Sequence, residues 1–509
     1  MPDPARRVLI IGLDCAPPEI LFSEFLDELP ALKSLIVQGI HGPLRSTIPP
    51  ITVPAWMSMA TGVDPGTLGI YGLRNRPDHS YRPMEIASAA QVTAPALWDH
   101  LSLAGKQVIL VGVPLTYPPR PVNGCLISSF LAPGPDSDYT YPADLKSEID
   151  AVADGYEIDV SDFRTDDKDR LLEDIYRMTR KRFAVTRHLM QARPWDFLMH
   201  VEMGTDRIHH GFWSHHDPGH RRHTAESPYR NAIRDYYRYL DGEIADLLNL
   251  AGEETDGKET AVIVASDHGA KRIDGGICIN EWLKQEGYLE LVEEPAAPTG
   301  IDDVDINWEK TTAWGHGGYY ARIFLNVKGR EPQGSVDPES YETVRSTLAE
   351  RLSALPGPDG RPLDTRVFRP EDIYRTCRGV PPDLIVYFGD LLWRSVGTVG
   401  GGSVYSADND TGPDDANHAQ DGVFVLSAGS NIPGGRRADL DILDVAPTVM
   451  ELMGLPVPAD MQGRSVLPEG YRTASISDTV SEPAAFVDET YSEDEKQQVM
   501  DRLKALGYL

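Results

Sequence analysis

The stretch Val8-Leu-Ile-Ile-Gly-Leu-Asp14, an apolar run that ends in a carboxylate, is typical of a buried strand in a parallel sheet. Helical patterns follow such runs along the chain, for example over Pro95–Ala104 and Tyr229–Leu250. This alternation predicts a layered α/β fold with a mostly parallel central sheet. The other runs that we interpret as buried parallel strands are Val108–Val113, Phe197–Val201, Ala261–Ala265, Leu384–Phe388 and Val423–Leu426.

The bulk composition narrows the classes of partner and compartment. The chain has 48 Lys and Arg against 78 Asp and Glu, a net charge of -30, which makes long nucleic acids poor partners. No stretch approaches the roughly 20 apolar residues of a membrane span, and the first apolar run is too short for a signal peptide. Four scattered cysteines without CxxC spacing indicate free thiols and a cytoplasmic location.

Side chains that can bind metal ions stand at the ends of several predicted strands. Asp14 follows the first strand, Asp206 comes shortly after the third, and the Asp267-His268 pair follows the fourth. His418 lies in a polar cluster just before the strand at Val423–Leu426. Because ligands of such sheets bind beyond the carboxyl ends of the strands, we expect most of these residues to meet at one rim.

The spacing of these residues favours chelation. Asp206 and His210 are four residues apart, so on a helix they would face the same way and could hold one ion. Nitrogen and oxygen ligands with open positions suit catalytic zinc better than calcium or magnesium, with manganese and iron as the other options. Two sites of three protein ligands each would result from the split Asp206/His210/His418 and Asp14/Asp267/His268.

A candidate nucleophile, Thr52, stands at a predicted helix start. Pro49 and Pro50 disfavour a helix before it, Pro54 is placed to open one, and Gly62 to end it. The free N–H groups and the dipole at a helix N-terminus favour an anion. From this segment alone, an ordinary N-cap role for Thr52 is the simpler interpretation.

Six motifs occur in order along most of the chain, from about Val8 to Gly463. In combination they resemble the alkaline phosphatase superfamily, specifically its type I phosphodiesterase/nucleotide pyrophosphatase branch, and within it a group of bacterial predicted phosphohydrolases or phosphomutases. The motifs are Gly12-Leu-Asp14, Thr52-Val-Pro54 followed by Ala60-Thr-Gly62, Thr205-Asp-Arg-Ile-His-His-Gly-Phe-Trp213, Ser266-Asp-His-Gly269, His418-Ala-Gln-Asp-Gly422 and Asp444-Val-Ala-Pro-Thr448.

The resemblance implies an alkaline-phosphatase-like core and a two-metal phosphoric ester hydrolase of the phosphodiesterase type, acting through a phosphothreonine at Thr52. It also implies the ligand sets. The Asp-x-x-x-His spacing of the family selects His210 over the adjacent His209, and His316 is the alternative to His418. One metal would be held by Asp206, His210 and His418, and the other by Asp14, Asp267 and His268 with the Thr52 oxygen on or near it.

The chain departs from the family just after the nucleophile helix. Leu68 replaces a usual His, and Leu73 stands where nucleotide pyrophosphatases place an Asn that binds a phosphate oxygen. Nucleotide substrates are therefore in doubt, and a small phosphate ester is the expected substrate. The alternatives are a phosphomonoesterase or phosphomutase of the same superfamily and, from another class, a non-catalytic metal- or ligand-binding protein on a hydrolase fold.

The pattern along the chain predicts three regions. The catalytic core would comprise residues 1–274 and 407–470, and residues 275–406 would form an inserted cap that contributes to the substrate site. Residues 471–509 would form an acidic tail that ends in a short helix over Ser492–Leu506. The Gly-, Ser- and Asp-rich stretch Ser395–Asp415, which crosses from the cap into the core, is predicted to be a loop.

Overall fold

A computed structural model describes residues 7–253, 259–407, 409–428, 432–472, 476–477 and 491–505. Among these, ten strands form one central sheet, which the tenth strand, Leu440–Asp441, joins beside Ile40–Arg45. The order of the other nine is Gly435–Arg436, Ile40–Arg45, Asp421–Ser427, Thr260–Ala265, Arg7–Leu13, Phe197–Glu202, Val108–Val113, Gly124–Ser128 and Thr140–Tyr141.

The middle of the sheet is parallel, as the sequence predicts. Arg7–Leu13 lies between Phe197–Glu202 and Thr260–Ala265 and is parallel to both. Val108–Val113 is parallel to Phe197–Glu202 and to Gly124–Ser128. Every residue of Arg7–Leu13, Val108–Val113 and Phe197–Glu202 is buried, so both faces of the sheet are covered there.

Two strands that the sequence predicts to be parallel are antiparallel to their neighbours. Asp421–Ser427 belongs to the central sheet but is antiparallel to both of its neighbours, Ile40–Arg45 and Thr260–Ala265. Leu384–Tyr387 lies in a separate sheet and is antiparallel to Ala321–Leu325 and Arg366–Phe368. An apolar run reports burial on both faces but not strand direction, which explains why both predictions were wrong in direction.

Helices flank the central sheet. The predicted helix at Pro95–Ala104 spans Leu97–Leu103, and that at Tyr229–Leu250 spans Ala232–Glu253. Within the described residues, no helix is long and apolar enough to cross a membrane. Outside residues 275–406 and before residue 491, the other described helices of at least eight residues are Pro30–Gln38, Thr52–Thr61, Leu145–Ala153, Lys168–Ala192, Gly204–His216 and Val445–Leu452.

Residues 275–406 build their own small sheets and an apolar cluster distinct from that of the central sheet. A four-stranded antiparallel sheet has the order Ala313–His316, Ala321–Leu325, Leu384–Tyr387 and Arg366–Phe368. The helices Ile279–Gln285 and Tyr341–Ser353 accompany it. The stretch predicted as a loop, Ser395–Asp415, is in part extended, because Trp393–Val396 and Tyr405–Ser406 both pair with Gly275–Cys278.

The chain ends in the helix Glu493–Ala505, close to the predicted Ser492–Leu506. Its residues Val499 and Leu503 are fully buried, and the Tyr491 hydroxyl donates to the Leu131 carbonyl at 3.0 Å. The C-terminal helix is therefore packed on the body of the protein. The predicted acidic tail, Thr473–Glu489, lies outside the described residues except for the short strand Ile476–Ser477.

Candidate metal centre

The direction of the strand Asp421–Ser427 explains how His418 joins residues that follow other strands. The start of an antiparallel strand lies at the same rim as the ends of its parallel neighbours. His418 lies just before this strand, on Ala416–Ala419, where it pairs with Ala270, two residues after His268. The rim therefore gathers three strand ends and one strand start.

The first cluster consists of Asp14, Asp267 and His268, which offer ligand atoms within 4.8 Å of one another. His268 Nε2 lies 3.1 Å from Asp267 Oδ2 and 4.0 Å from Asp14 Oδ1. The indole N–H of Trp56 donates to Asp14 Oδ2 at 2.6 Å, and the backbone N–H of Cys15 donates to Asp267 Oδ1 at 3.1 Å. One oxygen of each carboxylate is thus held by the protein.

The second cluster contains Asp206, His210 and His418, together with Cys15. Asp206 and His210 lie on the helix Gly204–His216, with His210 Nε2 at 3.2 Å from Asp206 Oδ1. His418 Nε2 is 3.9 Å from the same oxygen. All four side chains are buried, so this helix and the strand of His418 meet in a water-poor site.

Thr52 lies beside the first cluster, as the first residue of the helix Thr52–Thr61. Its neighbour Ile51 takes the extended N-cap conformation, and no side chain caps this helix end. The Thr52 hydroxyl oxygen instead lies 3.4 Å from His268 Nε2, with the residue only 1% exposed. The simpler N-cap interpretation of Thr52 is therefore wrong, and its hydroxyl is directed at the metal-competent side chains.

The other histidines considered from the sequence lie elsewhere. His209 is buried on another side of the same helix, with its Nε2 at 3.3 Å from the Tyr237 hydroxyl. His316 ends the strand Ala313–His316, with its Nε2 3.7 Å from Asp302 Oδ1, and belongs to neither cluster. The geometry therefore favours His418 over His316 and His210 over His209.

Three site residues were missed by the sequence reasoning. Asp414 accepts from His210 Nδ1 at 2.7 Å and forms an ion pair of 2.9 Å with Arg164. Cys15 joins the second cluster, where its thiol donates to the Gly269 carbonyl at 3.4 Å. The position of Cys15 directly after Asp14 was a usable signal, whereas nothing in the sequence around Asp414 or Arg164 distinguishes them.

Burial and mutual repulsion shape the charges of the two clusters. Burial, together with the neighbouring carboxylates, raises the pKa of Asp14 and Asp267 well above the usual value. Burial also lowers the pKa of His268, to about 4, and that of His418. Carboxylates that resist ionisation and imidazoles that stay neutral form a site that a cation would stabilise, since it offsets the buried negative charge.

His210 differs from the other two histidines. Burial opposes its charged form, but the carboxylates of Asp414 and Asp206 outweigh burial and raise its pKa to about 9. The short contact with Asp414 holds Nδ1 of the ring, so that Nε2 faces Asp206. A proton and a metal ion would compete for Nε2, so metal binding at His210 would release a proton.

The donor set fits divalent metal ions. Four buried atoms of the two clusters have no hydrogen-bond partner among the described residues, although such atoms are rarely left unpaired in proteins. Each has a lone pair available for coordination, and each set combines carboxylate oxygens with imidazole nitrogen. The four atoms are Asp14 Oδ1, Asp206 Oδ1, Asp267 Oδ2 and His418 Nε2.

The close approach of Gly12 to Trp56 gives a test of the support behind Asp14. A Cβ at Gly12 would lie 2.5 Å from Trp56 Cη2, so Gly12→Ala must displace the ring that holds Asp14. We expect a loss of about 1–3 kcal/mol in the free energy of unfolding, measured by urea denaturation. Gly242→Ala is the matched control, because its Cβ meets nothing within 4 Å and alanine favours a helix. Equal stability of both variants would contradict the packing argument.

The chain is similar to known hydrolases over most of its length. The model of the type I phosphodiesterase/nucleotide pyrophosphatase family matches residues 8–414. No curated protein sequence matches the chain.

Solved structures share the fold at low identity. Murine ectonucleotide pyrophosphatase/phosphodiesterase 5, an inactive form in complex with AMP, is 13% identical with a TM-score of 0.50, covering 88% of this chain and 95% of that one. Phosphonoacetate hydrolase from Sinorhizobium meliloti, in complex with phosphonoformate, is 18% identical with a TM-score of 0.54, covering 87% and 94%. The fold is alkaline-phosphatase-like, as the sequence predicts. The chain belongs to the type I phosphodiesterase/nucleotide pyrophosphatase family of metal-dependent hydrolases, and it is a phosphohydrolase.

Proposed function

We propose that the protein is a two-metal phosphodiesterase that cleaves a small phosphate ester with Thr52 as the nucleophile. The observation that carries this proposal is the position of the Thr52 hydroxyl, 3.4 Å from His268 Nε2 of the first cluster. The His268 ring stacks on His418 of the second cluster, and four buried atoms of the two clusters have no hydrogen-bond partner among the described residues. A structural threonine would not need such surroundings. A non-catalytic binding protein would be expected to have lost the nucleophile or a ligand, and this chain has retained all seven residues.

The two clusters would each hold one ion. Asp206, His210 and His418 would bind one, and Asp14, Asp267 and His268 the other, with zinc the best match and manganese or iron the alternatives. Bound there, the two ions would lower the pKa of the Thr52 hydroxyl and offset charge on the phosphoryl oxygens. The contact of Asp414 with His210 Nδ1 would fix the ring so that Nε2 faces the ion.

The residues of the chain would carry out a displacement in two stages. Thr52 Oγ1 forms a bond to phosphorus as its hydroxyl proton is lost, and the bond from phosphorus to the leaving oxygen breaks, so that the leaving group departs as an alcohol once protonated. The result is a phosphothreonine that, for a diester, still carries the second ester group of the substrate. Water then hydrolyses that ester and regenerates Thr52. The start of the helix Thr52–Thr61 favours the anion in both stages, because its first N–H groups have no partner within the helix.

The division into regions supports this function. We propose that residues 1–274 and 407–470 form the catalytic core and that residues 275–406 form a cap over the site. Tyr319 of the cap supports this, since its hydroxyl lies 3.4 Å from both His210 ring nitrogens and from Asp414 Oδ2. A cytoplasmic location is consistent with the four free cysteines.

Kinetics on two aryl esters test the function. With zinc or manganese added, we expect hydrolysis of bis-p-nitrophenyl phosphate to exceed that of p-nitrophenyl phosphate, and a chelator to abolish both. The reverse preference would favour the phosphomonoesterase, because arginines beside the site could bind the additional phosphate oxygens of a monoester. Metal-loaded protein that cleaves neither ester would contradict the proposal and favour the binding protein.

A further inference from the structure

A small pocket with a cavity volume of about 40 Å³ opens beside the second cluster. Tyr319, which contacts His210, and Ile51, which precedes Thr52, lie in its wall. The pocket therefore adjoins the candidate metal centre. Its other lining residues are Leu73, Arg74, Arg164, Gly317, Gly318, Tyr320, Arg322 and Arg394.

Four arginines line this pocket, and no Asp or Glu does. Such a concentration of positive charge is unexpected in a chain with a net charge of -30. Arg322 and Arg394 are buried, 6% and 4% exposed, and Arg74 is partly buried. Because burying like charges together is costly, an arrangement of this kind calls for an anion that compensates it.

Arg164 is neutralised by its ion pair of 2.9 Å with Asp414. The carboxylates near the other three arginines compensate their charge only in part. Arg74 is 3.9 Å from Asp302 Oδ2, too far for a hydrogen bond, and the Arg322 guanidinium instead donates to the Arg74 carbonyl at 2.5 Å. Burial, with a smaller contribution from Arg322, lowers the pKa of Arg74 to about 10. Arg394 lies 3.3 Å from Asp410, and its Nε has no hydrogen-bond partner among the described residues.

The departure at Leu73 falls in the same wall. Leu73 stands where related pyrophosphatases place a phosphate-binding Asn, and the next residue, Arg74, faces the pocket. An apolar residue followed by a cation replaces the neutral amide there. A guanidinium at this position would pair with an anion, whereas an amide would donate a neutral hydrogen bond.

We propose that the substrate carries a second oxyanion, a carboxylate or a phosphate, which these arginines bind while the scissile phosphoryl group lies at Thr52. This inference rests on the proposed function and narrows its substrate to small esters with two anionic ends. Guanidinium groups bind carboxylate and phosphate oxygens in paired hydrogen bonds, so both groups share the required chemistry. The bulk of a nucleoside is not required by a pocket of this size.

Binding of uncleaved phosphonates tests the pocket without turnover. Three compounds share one end: propylphosphonate, 4-phosphonobutanoate and propane-1,3-bisphosphonate, whose other ends are methyl, carboxylate and phosphonate. We measure binding by titration calorimetry on the zinc-loaded protein. At least one of the two compounds with an anionic group at both ends should bind about tenfold or more tightly than propylphosphonate. The tighter of the two identifies the oxyanion, and zinc content measured after each titration excludes metal stripping.

Arginine variants assign the preference to the pocket. Arg74→Gln should reduce the preference to about twofold or less, and Arg74→Lys should restore part of it. Arg437→Gln is the matched control, since Arg437 pairs with Asp439 outside the pocket and its loss should leave the preference intact. Equal binding of all three phosphonates, or an unchanged preference in Arg74→Gln, would overturn the inference.

The two proposals fail in different ways. A strong preference for doubly anionic phosphonates in a protein that cleaves neither aryl ester would retain the anion pocket and refute the hydrolase mechanism. Ester cleavage without any such preference would retain the mechanism and refute the pocket. The ratio of affinities therefore reports on the arginines alone.

Discussion

Thr52→Ala is expected to lower kcat by on the order of 10⁴-fold or more, because the variant loses the hydroxyl that lies 3.4 Å from His268 Nε2 and that we propose attacks phosphorus. Six other side chains remain to hold the metals, so bound zinc should stay close to the wild-type content. Metal analysis by mass spectrometry and kinetics on bis-p-nitrophenyl phosphate measure the two quantities on the same preparation. In an acid-quenched wild-type reaction, the peptide that contains Thr52 should carry one p-nitrophenyl phosphoryl group.

Two variants separate chemistry from packing in this experiment. Thr52→Ser retains the hydroxyl and should keep far more activity than Thr52→Ala. Thr61→Ala removes a second buried threonine from the same helix, whose hydroxyl donates to the Met57 carbonyl at 2.7 Å, and should leave kcat largely unchanged. Near-normal activity of Thr52→Ala would exclude Thr52 as the nucleophile.

Much of the candidate site could be predicted because its residues follow local rules. Asp14 and the Asp267-His268 pair stand directly after buried strands, where the fold places ligands. Asp206 and His210 share a helical face through their spacing of four. Such relations depend on a few neighbouring residues, so they are visible in one chain without its structure.

The features of the site that could not be predicted depend on contacts between segments that are distant in the sequence. Asp414 reaches His210 across 204 residues, and Arg164 and Tyr319 reach Asp414 from two further segments. The antiparallel direction of Asp421–Ser427 likewise depends on its partners in the sheet rather than on its own apolar pattern. These relations determine how His210 is oriented and why His418 reaches the rim, and no local pattern encodes them.

The adjacent residues His209 and His210 allow a second test with a large expected effect, this time on the metal content of the protein. His210→Gln should lower bound zinc by about one ion per chain and reduce kcat by several orders of magnitude, because Nε2 of His210 faces the Asp206 carboxylate. His209→Gln is the matched control from the same helix. Its ring packs on Tyr237 and Trp213 instead, so the variant should keep both ions.

Substitutions around the two clusters distinguish the residues that would bind a metal directly from those that only support a ligand. Asp267→Asn should lose the other ion, whereas Asp414→Asn, which removes only the carboxylate behind His210, should weaken zinc affinity about 10–100-fold. Competition with a chromophoric chelator measures each affinity. Full zinc content in both His210→Gln and Asp267→Asn would refute this ligand set, and so would an equal loss in His209→Gln. A graded series would instead show that the helix face of Asp206 and His210 and the strand end at Asp267 each hold a separate ion.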